Sequence, residues 1–158
     1  NIEGAKDILL FGVHSLALTK ILKNIGTNTI NLDYYNDQEI PEKLIKDHNV
    51  CLITPDKLSK NYDLGIFCRF LQNQDDKKVL SYLKFAKDMK MSRILLIETI
   101  LTKESPIGGA VDINIMVETG GRLRKMDDWE LILKQVGGLK IFNILPLTDY
   151  LSVIDIKG

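Results

Sequence analysis

Short apolar bursts alternate along the chain with amphipathic stretches, which is the pattern of β-α-β units. Ile8 to Gly12 (ILLFG) is continuous and ended by glycine, and predicts a parallel strand buried on both faces. Ser15 is placed to cap a following helix, in which Leu16, Thr19 and Leu22 recur at helical spacing. Thr29 to Asp33 (TINLD) predicts a second strand that ends in an acid. Pro41 suits the first turn of a helix with Leu44 and Ile45 on its apolar side. Val50 to Thr54 predicts a third strand and Asp63 to Phe70 a fourth.

The second half is more strongly patterned. Asp75 to Met89 predicts a helix, with Val79, Leu83 and Ala86 on one face and Asp75 and Asp76 at its positive end. Arg93 to Glu98 (RILLIE) predicts a fifth strand. Residues 99–111 read as a loop, and Asp112 to Glu118 as a short helix or strand. Asp127 and Glu130 have capping-box spacing and open a helix that Gly137-Gly138 closes. Leu139 to Leu145 and Tyr150 to Ile156 are two last strands. Their short connection forces antiparallel pairing, because a parallel return needs a crossover of about a dozen residues. The sum is an α/β domain: a doubly wound, mostly parallel sheet with a terminal hairpin.

Composition narrows this further. The 158 residues, 45% hydrophobic and 27% charged, suit one globular domain over 1–158. Lys+Arg and Asp+Glu are both 21, and zero net charge argues against nucleic acid or a membrane surface as partner. The cluster Arg122, Arg124, Lys125 reads as a solvated turn. Cys51 and Cys68 lie in apolar runs, as buried reduced thiols do, with no zinc-type spacing. No run approaches the length of a membrane span and no signal peptide is visible, so a cytoplasmic setting is expected.

Ligands of such sheets bind beyond the carboxyl ends of the strands, near the point where strand order reverses. The candidates there are Gly12 and His14 after the first strand, Asp33 at the end of the second, and Pro55 and Asp56 after the third. Gln72 and Asn73 follow the fourth and Glu98 ends the fifth. Asp33 lies about 20 residues after the first turn, where an acid accepts hydrogen bonds from a ribose diol. Glu98 follows an apolar run, so its carboxylate is partly desolvated or paired. It would orient a neighbouring base or bind substrate; a strand-end acid in water is the plain alternative. Trp129, at an apolar helical position, reads as core. No nucleophile elbow, phosphate-binding loop or metal-ligand cluster appears.

Residues 63–156 also carry a family resemblance. DLGIFCRFLQNQDD, the strand ending at Glu98, DINIMVETGGRLRK at 112–125, WELIL and LPLTDYLSVIDI together resemble the SAM-dependent small-molecule O-methyltransferases of the plant and bacterial polyketide type. The resemblance implies strand order 3-2-1-4-5-7-6, SAM (S-adenosyl-L-methionine) as cofactor and a small hydroxylated molecule as substrate. It implies that Gly12, Asp33 and Asp56 hold the cofactor and that Asp112 and Asn114 face the substrate. Gln72 falls on the family's catalytic histidine, and Glu98 on the glutamate that supports it. The chain departs from the family at this base, because glutamine accepts no proton near neutral pH. Leu123 replaces a second supporting glutamate, Gln74 a tryptophan, and the cofactor turn keeps one glycine. The family's helical N-terminal dimerisation domain is absent from the sequence, which leaves a homodimer open. The resemblance points to a divergent O-methyltransferase. The missing base points equally to a domain that binds a ligand or a protein partner without turnover.

Overall fold

In the computed structural model, residues 4–25, 31–35, 42–48, 50–54, 61–102 and 108–158 are described, and they form one seven-stranded sheet. The strands are β1 (Asp7–Phe11), β2 (Asn31–Tyr35), β3 (Cys51–Ile53), β4 (Leu64–Cys68), β5 (Arg93–Thr99), β6 (Lys140–Pro146) and β7 (Leu151–Lys157). Their order is β3-β2-β1-β4-β5-β7-β6, as the resemblance implies. All neighbours pair in parallel except β7, which runs antiparallel to both β5 and β6. The chain builds from β1 to one edge, then restarts on the other side with β4. The reversal therefore falls between β1 and β4, at Gly12 and Arg69.

Alternation along β1 divides the core. Leu9 and Phe11 face the layer of α3 (Asp76–Asp88) and α5 (Met126–Val136), whereas Ile8 and Leu10 pack with Leu16 and Leu22 of the opposite layer. All four are fully buried, which is why the strand is a continuous apolar run. Leu22 lies on α1 (Thr19–Ile25), and α2 (Glu42–His48) precedes β3. At the carboxyl ends of β1, β2 and β4 the first layer is aromatic. Phe11 stacks on Phe67 with ring centroids 4.0 Å apart, and Tyr35, Phe70, Tyr82 and Phe85 surround the pair. On the far side of the sheet, Arg93 makes a two-point bond to buried Asp155 of β7, with N···O distances of 2.7 and 2.6 Å.

Several local expectations change. β2 continues through Tyr34 and Tyr35, so Asp33 is its middle residue and not its last; buried tyrosines extend a strand as well as aliphatic residues do. Ser15 caps nothing. A 3-10 helix over Val13–Leu18 follows Gly12, and Ser15 Oγ donates to the Gly12 carbonyl at 2.7 Å. The capping box of α5 lies two residues earlier than its sequence spacing suggests: the Lys125 N–H donates to Asp128, and Asp127 and Glu130 have no part in it. The segment after β5 is helical from Gly108, as α4 (Gly108–Thr119). Cys68 is buried, but Cys51 is exposed, because β3 is an edge strand. No helix among the described residues is long and apolar enough to cross a membrane.

The aromatic layer makes Phe11 the most consequential single core residue near the ligand edge. Phe11→Ala is expected to cost about 3–5 kcal/mol, because the cavity is walled by rigid rings. Thermal unfolding should show this as a drop on the order of 10 °C.

Candidate active site

The chain leaves β4 through Arg69, whose φ of 47° is left-handed, and turns at once into a short 3-10 segment, Leu71–Asn73. Its own bonds start at the Asn73 and Gln74 N–H groups, which leaves three earlier N–H groups without backbone partners and carbonyls with lone pairs to spare in the interior. Two buried charges take them up. Glu98, fully buried on β5, accepts the N–H groups of Phe70 (3.0 Å), Leu71 (2.9 Å) and Gln72 (3.3 Å). Arg124, 1% exposed, donates to the carbonyls of Leu71 (3.0 Å) and Gln74 (2.8 Å), and to Asp76 at the start of α3 (2.7 Å). Its guanidinium lies over the Trp129 ring, 5.4 Å from the centroid. Arg124 is therefore no part of a solvated turn; Arg122, by contrast, is exposed and pairs with the other Asp76 oxygen at 3.0 Å.

The electrostatics follow from this packing. Burial pushes the Glu98 carboxyl up to about 7, against the opposing pull of its three N–H donors and of Arg124. The hydrogen bonds from Arg124 and Arg122 outweigh the partial burial of Asp76 and hold its carboxyl below the ordinary range. Burial raises the Cys68 thiol to about 11, with Glu98 adding to the effect, so it is inert as a nucleophile.

The structure brings together part of the set expected from sequence. Gln72 sits on the clamped turn, 5% exposed, with its Oε1 accepting from the Thr99 N–H at 3.4 Å. Glu98 meets the backbone of Gln72 and not its side chain, so it holds the turn in place and does not orient the group at position 72 directly. Asp112 accepts from the Leu123 N–H, tying α4 to the return that carries Arg124. Asn114 is exposed on α4 beside exposed Ile113, Met116 and Val117. Gly121 presses on the same turn: a Cβ there would lie 2.2 Å from the Gln72 carbonyl oxygen.

On the other side of the reversal point, Gly12 has φ 81°, and a Cβ would lie 2.7 Å from the Phe70 Cβ. Close protein packing thus accounts for this glycine. His14 is exposed, its pKa lowered by partial burial and by neighbouring Arg69. Asp33 is level with Leu9 of β1 and Cys51 of β3. Pro55 and Asp56 lie outside the described residues. Sequence reasoning missed Arg124 and Arg69. The sequence signals for Arg124 were its place three residues after a glycine pair, which surface turns share, and its place in the TGGRLR segment of the resemblance.

No family model matches the chain. By sequence it is similar to 3'-hydroxy-N-methyl-(S)-coclaurine 4'-O-methyltransferase 2 of Papaver somniferum, at 30% identity over 93 residues, 54% of this chain and 26% of that protein. By fold it is similar to the mitomycin 7-O-methyltransferase MmcR, with TM-score 0.81 and 19% identity over 99% of this chain and 50% of that one. It is also similar to the O-methyltransferase NcsB1, solved with S-adenosylmethionine and 2-hydroxy-5-methyl naphthoic acid, with TM-score 0.78 and 16% identity over 96% and 48% of the two chains. The chain thus has the O-methyltransferase-like fold. It spans about a quarter of the length of the curated relative and half that of the solved structures.

Two variants test the clamp. Glu98 holds a proton in the folded state that the unfolded chain, with a carboxyl near 4.5, releases. The stability it contributes is full below 4.5 and is lost as the pH rises through about 7. Denaturant midpoints should fall over that window, and Glu98→Gln should flatten the slope; an unchanged slope would remove Glu98 as its source. Arg124→Lys keeps the charge but loses the fork that reaches two carbonyls and Asp76. It should cost about 1–3 kcal/mol in the same measurement at neutral pH.

Proposed function

We propose that the chain is a divergent SAM-dependent O-methyltransferase-like domain acting on a small hydroxylated molecule. The observation that carries this reading is the clamped turn at the carboxyl end of β4, beside the reversal of strand order, in a chain similar by sequence to an O-methyltransferase. Ligands of doubly wound sheets lie at that edge. When bound, SAM supplies an electrophilic methyl group.

The described residues at the edge fit such a cofactor. Arg69 and His14 are polar, exposed and cationic or neutral, which suits the carboxylate of its methionine part. Asp33 and Asp56 are proposed to take the ribose and the region near the adenine, and Gly12 to let the chain turn beneath them. Gln72 is proposed to face the reacting oxygen, with Glu98 as the residue that positions its backbone. Asn114 and the exposed apolar residues of α4 are proposed to receive the substrate. Asp112 is proposed to act on it through the return to Leu123. Positioning of the two reactants accounts for much of the rate in such a site, since neither Gln72 nor the occupied Glu98 serves as a base.

Calorimetric titration with S-adenosylhomocysteine tests the cofactor. Binding is expected, and Asp33→Ala should weaken it by more than about tenfold, the loss of a charge-assisted hydrogen bond. No heat and no thermal shift at millimolar ligand would reject the cofactor, and would leave a fold kept for interaction with another molecule. Unchanged affinity in the variant would remove Asp33 from the site.

A further inference from the structure

We propose that Gln72 is a hydrogen-bond donor to an oxygen that arrives already ionised, so that the site selects oxyanions, carboxylates and acidic phenols, over neutral hydroxyl compounds. This rests on the reading above for the location of the site, and goes beyond it in naming the substrate class.

An amide side chain has one acceptor end and one donor end. The backbone N–H of Thr99 only donates, so its bond to Gln72 fixes Oε1 toward the end of β5. The NH2 group is left over. It has no partner among the described residues, and it is not among their fully buried unpaired atoms, although the residue is 95% buried. The NH2 nitrogen therefore keeps contact with solvent, and an incoming acceptor replaces water there. The bond is stronger when that acceptor is charged.

The donor is also held in place before any ligand arrives. Glu98 holds the Gln72 backbone N–H, and Gly121 closes on its carbonyl. A fixed dipole aimed at a site stabilises negative charge there without reorganising. The same groups offer no destination for a substrate proton. Gln72 accepts none, and Glu98, although its carboxyl is raised to about 7, is fully buried behind the backbone it holds and presents no surface to a ligand. Exposed Arg69 adds positive charge at the same edge, whereas the charge of buried Arg124 is already matched by Asp76. An oxygen that still carries its proton would present the weaker acceptor to Gln72 and have no base to give the proton to.

The test uses the 15N-labelled chain, titrated at mildly alkaline pH with benzoate, 4-nitrophenol and 4-methylphenol, with and without S-adenosylhomocysteine. The first two probes are ionised there and the third is not. The two ionised probes should bind roughly tenfold or more tightly than 4-methylphenol, and should shift the Gln72 side-chain amide signals. Benzoate against 4-nitrophenol tells whether a carboxylate or a phenolate fits better. Gln72→Met should abolish the preference, with the fold kept by the Glu98 contacts to the backbone. Gln72→Glu keeps an acceptor for Thr99 and should repel the ionised probes. Equal affinity for the two phenols, or a preference that survives both variants, would overturn the proposal. So would loss of the preference in His14→Gln with Gln72 intact. S-adenosylhomocysteine binding without the phenol preference rejects this inference alone; the preference without S-adenosylhomocysteine binding rejects the cofactor reading alone.

Discussion

The ligand edge of this domain depends on one interaction, the acceptance of three consecutive backbone N–H groups by a carboxylate with no solvent contact. Burying a carboxylate costs several kcal/mol, and that cost is what raises Glu98 to about 7. It is offset because the turn after β4 has nowhere else to place those donors. The helical bonds of the turn begin only with the Asn73 and Gln74 N–H groups, so those of Phe70, Leu71 and Gln72 precede them and have no backbone partner. Arg124 completes the arrangement from the acceptor side. Removing either would strand buried main-chain groups, because Glu98 matches the N–H groups of the turn and Arg124, paired with Asp76, matches its carbonyls.

Much of the fold was legible because the chain is simple where it is most buried. β1 and β4 are buried on both faces, and β5 fully on one and partly on the other, so apolar runs mark them without ambiguity. The helix with Val79, Leu83 and Ala86 has an unbroken apolar stripe, and all three are fully buried. The terminal hairpin followed from connection length alone. The misread points are those where a polar or aromatic residue has two structural uses. Ser15 bonds backward to a carbonyl instead of forward to an amide, and the two choices have the same sequence. Tyr34 and Tyr35 extend β2 through ring packing, which a run of aliphatic residues would have announced. Cys51 shares its apolar neighbourhood with buried cysteines but sits on an edge strand, and only tertiary order shows that.

The candidate site was legible in position but not in contact. Gln72 and Glu98 fall at the carboxyl ends of β4 and β5, as strand pattern and resemblance imply. What Glu98 touches depends on the path of the turn, which no pattern encodes. Arg124 was invisible for a related reason. A buried arginine is identified by the carbonyls around it, and those belong to residues some fifty positions earlier. Asp112 illustrates the same limit: its carboxylate meets a backbone N–H eleven residues on, across a glycine pair.

The clamp also holds the residue at position 72 by its main chain and not by its side chain. Glu98 and Arg124 hold main-chain groups, which every residue type except proline supplies alike. The side chain at 72 therefore contributes little to the architecture that presents it. Among the described residues its hydrogen-bond partner is the Thr99 N–H, which asks for an acceptor without specifying which. Histidine or glutamine satisfies that demand, and each then has an N–H left over; they differ in that only an imidazole exchanges that proton near neutral pH. A neutral histidine that accepts from Thr99 at one ring nitrogen keeps its N–H at the other, and a proton must move before it serves as a base. Glutamine in the same place is a permanent donor. A substitution at this position that keeps an acceptor for Thr99 therefore leaves the main-chain clamp intact.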